Sequence, residues 1–130
     1  MTDGKASEVA RRAMTAVEQG LREEWVGLFA SAATLEDPVD GTSGRAGTAE
    51  IAEFWDTGIA MFESVQFNVH RMHEAPGEAL VLADVSVSVP GGAGARYDAV
   101  IHYRIDNEGE IESLRAFWDL PAMLAQLSSE

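Results

Sequence analysis

The chain has 130 residues, 46 % apolar and 24 % charged, the usage of one globular domain with a single core. Nine basic and 22 acidic side chains leave a net charge of −13, a field that repels phosphate backbones and anionic headgroups and so argues against nucleic acid and membrane surfaces as partners. Cysteine is absent, which rules out disulfides and thiolate metal sites.

The opening MTDGKASEVARR has no apolar core of a secretory leader, and no run approaches a membrane span; the expected location is cytoplasmic. Ser7 is the expected cap of a first helix with Val9, Ala10, Ala13, Met14, Ala16 and Val17 at helical spacing, and Gly20 ends it. A short second helix follows, with Leu21, Trp25, Leu28 and Phe29 on one side. Thr34 to Asp37 reads as extended, because Pro38 biases the residue before it away from helix. Residues 40–47, DGTSGRAG, read as a loop, with neither the lysine nor the preceding strand of a phosphate-binding loop. Thr48 is the expected cap of a longer helix carrying Ile51, Phe54, Trp55, Ile59 and Phe62.

From Ser64 the apolar period changes to two. Val65, Phe67 and Val69 alternate with polar residues; Ala79 to Val89, Tyr97 to Ile105 and Ile111 to Trp118 give three further strands. Pro121 opens a last short helix over 122–127. Helices first and antiparallel strands after them predict an α+β fold, a curved antiparallel sheet with about three helices on its concave face. Such a cone has room for an apolar pocket.

Within this frame the adjacent acids Glu36 and Asp37 stand out, because they close an apolar run. Either they form an ordinary surface turn, as a carboxylate before proline often does, or an extended segment points them opposite ways, Glu36 to solvent or a structural partner and Asp37 into an apolar pocket. An inward carboxylate in an apolar pocket has a raised pKa and is a better base near neutral pH. Phe54, Trp55, Met61, Phe62 and Trp118 are core or pocket aromatics and thioethers, with Trp118 the foremost pocket residue. Tyr97 and Tyr103 share the strand face of Ile101; they read first as strand tyrosines with their tips in water, and if that face lines a pocket either hydroxyl can reach it. His70 and His73, three apart in a strand, point to opposite faces, and no ligand spacing predicts a metal. Asp84, Glu110 and Glu112 read as solvated charges.

WVGLFASAATLEDPVDG, GTAEIAEFWDTGI and YRIDNEGEIESLRAFWDL resemble, in that order, the ketosteroid isomerase branch of the nuclear-transport-factor-2-like (NTF2-like, SnoaL-like) superfamily. The likeness runs from about Val9 to Leu120 and makes residues 1–130 one such domain. It implies a cofactor-independent isomerase, a homodimer through the outer sheet face, and a steroid-like apolar substrate. It makes Asp37 the general base that moves a proton in a 3-oxo-Δ5-steroid, beside an oxyanion hole of the kind known for ketosteroid isomerase. The family's oxyanion tyrosine and aspartic acid fall on Ala13 and Ile101, and two supporting tyrosines on Phe29 and Trp55; Trp118 matches a pocket tryptophan. The base is kept and the usual donors are not. Trp118, Tyr97, Tyr103, His102 or water remain as the oxyanion donor. A non-catalytic steroid- or lipid-binding protein and a SnoaL-like polyketide cyclase are the alternative functions.

Overall fold

The computed structural model describes residues 5–128. Helix α1 is Lys5–Gln19 and α2 is Arg22–Val26; strand β1 is Phe29–Glu36 and β2 is Gly44–Ala46; α3 is Thr48–Thr57, followed by a single 3-10 turn, Ile59–Met61. The long strands β3 (Ser64–Ala75), β4 (Glu78–Ser88), β5 (Gly94–Ile105) and β6 (Ile111–Phe117) come next, and α4 is Leu120–Ser128. One six-stranded sheet has the order β2-β1-β6-β5-β4-β3. This is the expected α+β NTF2-like architecture, with four α-helices among the described residues where the sequence places four. The sheet is mixed, because β1 lies parallel to β6 while every other pairing is antiparallel.

The alternation in β4 and β5 places Val81, Ala83, Val85 and Val87, and Ala99, Ile101 and Tyr103, on one buried face. Helix α1 covers part of it with Val9, Ala10, Ala13 and Met14, all buried at helical spacing. Trp25 on α2 meets Phe29 edge-on at 4.8 Å and Trp55 at 5.4 Å, tying α2, β1 and α3 into one aromatic cluster.

Several local expectations are corrected. Strand β1 starts at Phe29 rather than Thr34, and the expected loop contains β2. Ser7 lies inside α1, where its N–H donates to the Glu74 carboxylate at 3.0 Å instead of its hydroxyl capping the helix. Gly47, at a φ of 88° that only glycine adopts without strain, is the cap residue of α3 in place of Thr48. In β3 the pairing jumps from Val69↔Ala83 to Arg71↔Leu82, a bulge at His70. The bulge resets the alternation: Arg71 and His73 pair with Leu82 and Leu80 on the outer face, and His70 Nε2 comes within 3.8 Å of outer-face Asp84, so the two histidines do not face opposite ways. Asp84 is buried, not solvated, because Arg96 folds over it, with Nε 2.9 Å from Oδ2 and a second nitrogen on the same oxygen.

Candidate active site

A cavity of about 560 Å³ opens between the inner sheet face and the helices. Helix α1 contributes Met14 and Val17; α3 and the turn after it contribute Phe54, Gly58, Ile59 and Phe62; the inward positions of β4 and β5 form the floor. Helix α4 supplies Leu120, Met123, Leu124 and Leu127. Met61 and Leu124 line the cavity yet are 62 % and 49 % exposed, so the mouth lies between that turn and α4.

Into this apolar space projects Asp37. Strand β1 ends at Glu36, and the pairing Glu36↔Arg115 puts Glu36 on the outer face, where it accepts from Arg115 Nε at 2.7 Å. The next residue therefore turns inward, and Asp37 lines the cavity. The Val39 N–H donates to the Ala116 carbonyl at 2.8 Å, which fastens this segment to β6. The Asp37–Pro38 peptide is cis. Trp118 stands one residue beyond β6, and its indole Nε1–H donates to Asp37 Oδ1 at 2.5 Å. Tyr97 stacks on that indole, ring centroids 4.3 Å apart and planes inclined by 22°.

Desolvation by the apolar walls pushes the Asp37 pKa up to about 6, and the Trp118 hydrogen bond works against that shift by favouring the carboxylate. A group with this pKa is largely ionised at neutral pH and accepts a proton readily. Burial, and then the Asp37 charge, push both tyrosine hydroxyls well above their usual range, so both stay protonated donors.

Of the residues expected at the site, Asp37, Trp118, Phe54, Phe62, Tyr97, Tyr103 and Ile101 line one cavity. Ala13 and Trp55 do not. Ala13 faces the packed core one residue from Met14, which takes the cavity-facing position, so α1 brings no polar group to the site. Trp55 is turned about 100° around α3 from Phe54 and packs on Trp25 instead. His102 is on the outer face, its Nε2 2.7 Å from Glu78 Oε1. Sequence reasoning missed the leucines of α4, whose short apolar pattern carries no sign of which surface it covers. Among the described residues, the one group of three or more acids or histidines close enough to hold a metal ion is Asp106, Glu108 and Glu110, and Asp106 already accepts from the Glu108 and Glu110 main-chain N–H groups there.

A curved sheet closed by helices over an apolar cavity with one inward carboxylate defines the pocket-bearing class of NTF2-like domains. The SnoaL-like domain family model matches residues 10–114, and the chain belongs to that family. Among solved structures, a Delta 5-3-ketosteroid isomerase from Mycobacterium sp. is similar at 27 % identity and a TM-score of 0.82, over 92 % of this chain and 96 % of that one. The Mycobacterium tuberculosis protein RV0760c, solved in complex with estradiol-17beta-hemisuccinate, is similar at 24 % identity and a TM-score of 0.81, over 90 % and 95 % of the two chains. SalBIII, an epoxide hydrolase/cyclase-like enzyme with a role in pyran ring formation in the polyether salinomycin, matches at 24 % identity and a TM-score of 0.81, over 93 % and 96 %. The last two likenesses speak to the fold alone.

Proposed function

We propose that the protein is a steroid Δ-isomerase-like enzyme acting on a 3-oxo-Δ5-steroid or a similar apolar carbonyl compound, with Asp37 as general base. The observation that carries this reading is the Asp37 carboxylate, desolvated in an apolar cavity and held by Trp118. A cavity that merely stored an apolar ligand gains nothing from a buried acid, whose charge is costly to desolvate. In the forward step the Asp37 carboxylate removes a proton from the carbon between the ketone and the double bond. The C–H electron pair moves toward the ketone oxygen and a dienolate forms. Asp37 then returns the proton two carbons further along, the conjugated ketone is released, and the base is regenerated. Neither a metal nor an organic cofactor enters these steps. The similarity to a ketosteroid isomerase supports the substrate class.

The same reading places the protein in the cytoplasm as a homodimer joined through the outer sheet face. There Leu82, Val100 and Phe117 stand side by side across β4, β5 and β6. A related cyclase would use the same inward acid, and the SalBIII likeness in fold keeps that second reading in view.

The test supplies 5-androstene-3,17-dione and follows the ultraviolet absorbance of the conjugated enone, with the wild-type protein and Asp37→Asn. Turnover that the substitution abolishes is the expected result. Tight steroid binding without turnover by either protein would leave a binding protein instead.

A further inference from the structure

A dienolate needs a donor for its oxygen, and the cavity narrows the choice by what its polar groups already do. Among the described residues, the polar side chains that line it are Asp37, Ser43, Tyr97, Tyr103 and the indoles of Trp25 and Trp118, of which Trp25 is packed into the aromatic cluster with Phe29, Phe54 and Trp55. The Trp118 N–H is given to Asp37, and the Ser43 hydroxyl donates to Asp40 Oδ2 at 2.9 Å. His102 points away from the cavity to Glu78. Beside the clustered Trp25 indole two phenols are left, and neither hydroxyl has a hydrogen-bond partner among the described residues. Both feel the Asp37 charge without bonding to it.

Burial separates them. Tyr97 is half-buried, on the stretch of β5 that α4 covers beside the mouth. Tyr103 is 3 % exposed, two residues beyond Ile101 in the other direction along the same inward face. Ile101 pairs with Ala116, whose carbonyl anchors the Asp37 segment, so Tyr103 sits on the deep side of the base. The Tyr103 ring is buried while its unpartnered hydroxyl is not among the sealed polar atoms, so it opens on the cavity, where a donor aimed at developing charge is worth most.

We infer that Tyr103 is the oxyanion donor of this site: its unpartnered hydroxyl, carried by a buried ring on β5, hydrogen-bonds the ligand oxygen at the closed end of the cavity, across from Asp37. This rests on the proposed carbonyl chemistry. When the C–H bond breaks, the proton goes to Asp37 and the electron pair toward the oxygen; Tyr103 keeps its own proton and contributes a hydrogen bond. The donor thus comes from β5, while the positions at Ala13 and Ile101 carry no donor at all. The arrangement selects flat apolar ligands that enter with an oxygen leading.

Tyr103→Phe and Tyr97→Phe remove one oxygen each and keep the ring that fills the wall. Tyr103→Phe is expected to lower kcat for enone formation by about 10²–10³ with KM little changed. A second readout needs no turnover: the infrared stretch of the single conjugated ketone of bound testosterone. The expected result is a lowered frequency in wild type and in Tyr97→Phe, returning in Tyr103→Phe to the value seen in an apolar solvent. A frequency unchanged by Tyr103→Phe, or moved only by Tyr97→Phe, would overturn the assignment. If testosterone does not bind the wild type, the steroid reading fails separately, and 2-naphthol becomes the probe. Tyr103→Phe should then weaken its affinity by up to about tenfold. Unchanged affinity, or no binding of either probe, would overturn the inference.

Discussion

Burial holds the Asp37 proton until about pH 6, against an ordinary value of 3.8. A raised carboxyl pKa means that the folded state binds the proton more tightly than the unfolded chain. Below pH 3.8 the group is protonated in both states and its burial costs little. As pH rises through this window the unfolded chain ionises first, so stability falls, and above about 6 the full cost is present. At 1.36 kcal/mol per pKa unit that cost is about 3 kcal/mol. Asp37→Asn keeps an acceptor for the Trp118 indole and removes the charge. Chemical denaturation should therefore show the variant more stable than wild type by up to about 3 kcal/mol at pH 8, with the gain shrinking toward zero at pH 4. A gain independent of pH would show that the carboxylate is not desolvated. That Glu36 and Asp37 face opposite ways was legible from the alternation of an extended segment, and that Asp37 is the inward one from the resemblance. The partner of Asp84 was not, because Arg96 lies 12 residues away on the next strand.

At the scale of elements, α4 completes the sheet where β6 runs out. The β5–β6 pairing stops at Val100↔Phe117, which leaves the main chain of Arg96 beyond the reach of β6. The Gln126 side chain fills in: its Oε1 accepts from the Arg96 N–H at 2.9 Å, and its Nε2 donates to the Arg96 carbonyl at 2.8 Å. A side-chain amide has the donor and acceptor of a peptide group, so Gln126 stands in for a strand residue. This latch fixes a helix whose apolar side walls the cavity and whose root follows Trp118, the partner of the base. Gln126→Leu should raise the hydrogen-exchange rate of the Arg96 amide by at least about tenfold and leave the Ile101 amide protected; unchanged exchange at Arg96 would remove the latch. Strands β4, β5 and β6 were legible because each has one buried face and hence a period of two, and the start of β3 because Val65 and Phe67 alternate as half-buried residues. The start of β1 was not, because its small apolar residues fit helix and strand equally. The cap of α3 was missed because a positive-φ glycine stands where a threonine looks the natural cap.

For the molecule as a whole, distant segments meet in ways that no local pattern records. The parallel pairing of β1 with β6 joins Leu35 to Leu114 and sets Asp37 beside Trp118, which the sequence separates by 81 positions. The signature at Asp37 and the parity of β5 were enough to name the base and the β5 wall of Tyr97, Ile101 and Tyr103, but not the lining from α1 and α4, and assigning Trp118 to the base rather than to the ligand needed that pairing. On the opposite face, Phe117 is 41 % exposed with the Arg115 guanidinium 5.1 Å from its ring centroid, an apolar patch rimmed by charge. If this face joins two copies, Phe117→Glu should give the mass of a single chain in sedimentation equilibrium while wild type gives twice that mass. A wild-type monomer at micromolar concentration would contradict the dimer.

The central claim is that a desolvated Asp37 is the base, and its most direct test is kcat/KM for enone formation between pH 4 and 8. The account predicts a rise through a midpoint near 6, a plateau above it, and background rates for Asp37→Asn at every pH. A profile already flat at pH 4, or an Asp37→Asn variant as fast as wild type, would contradict it.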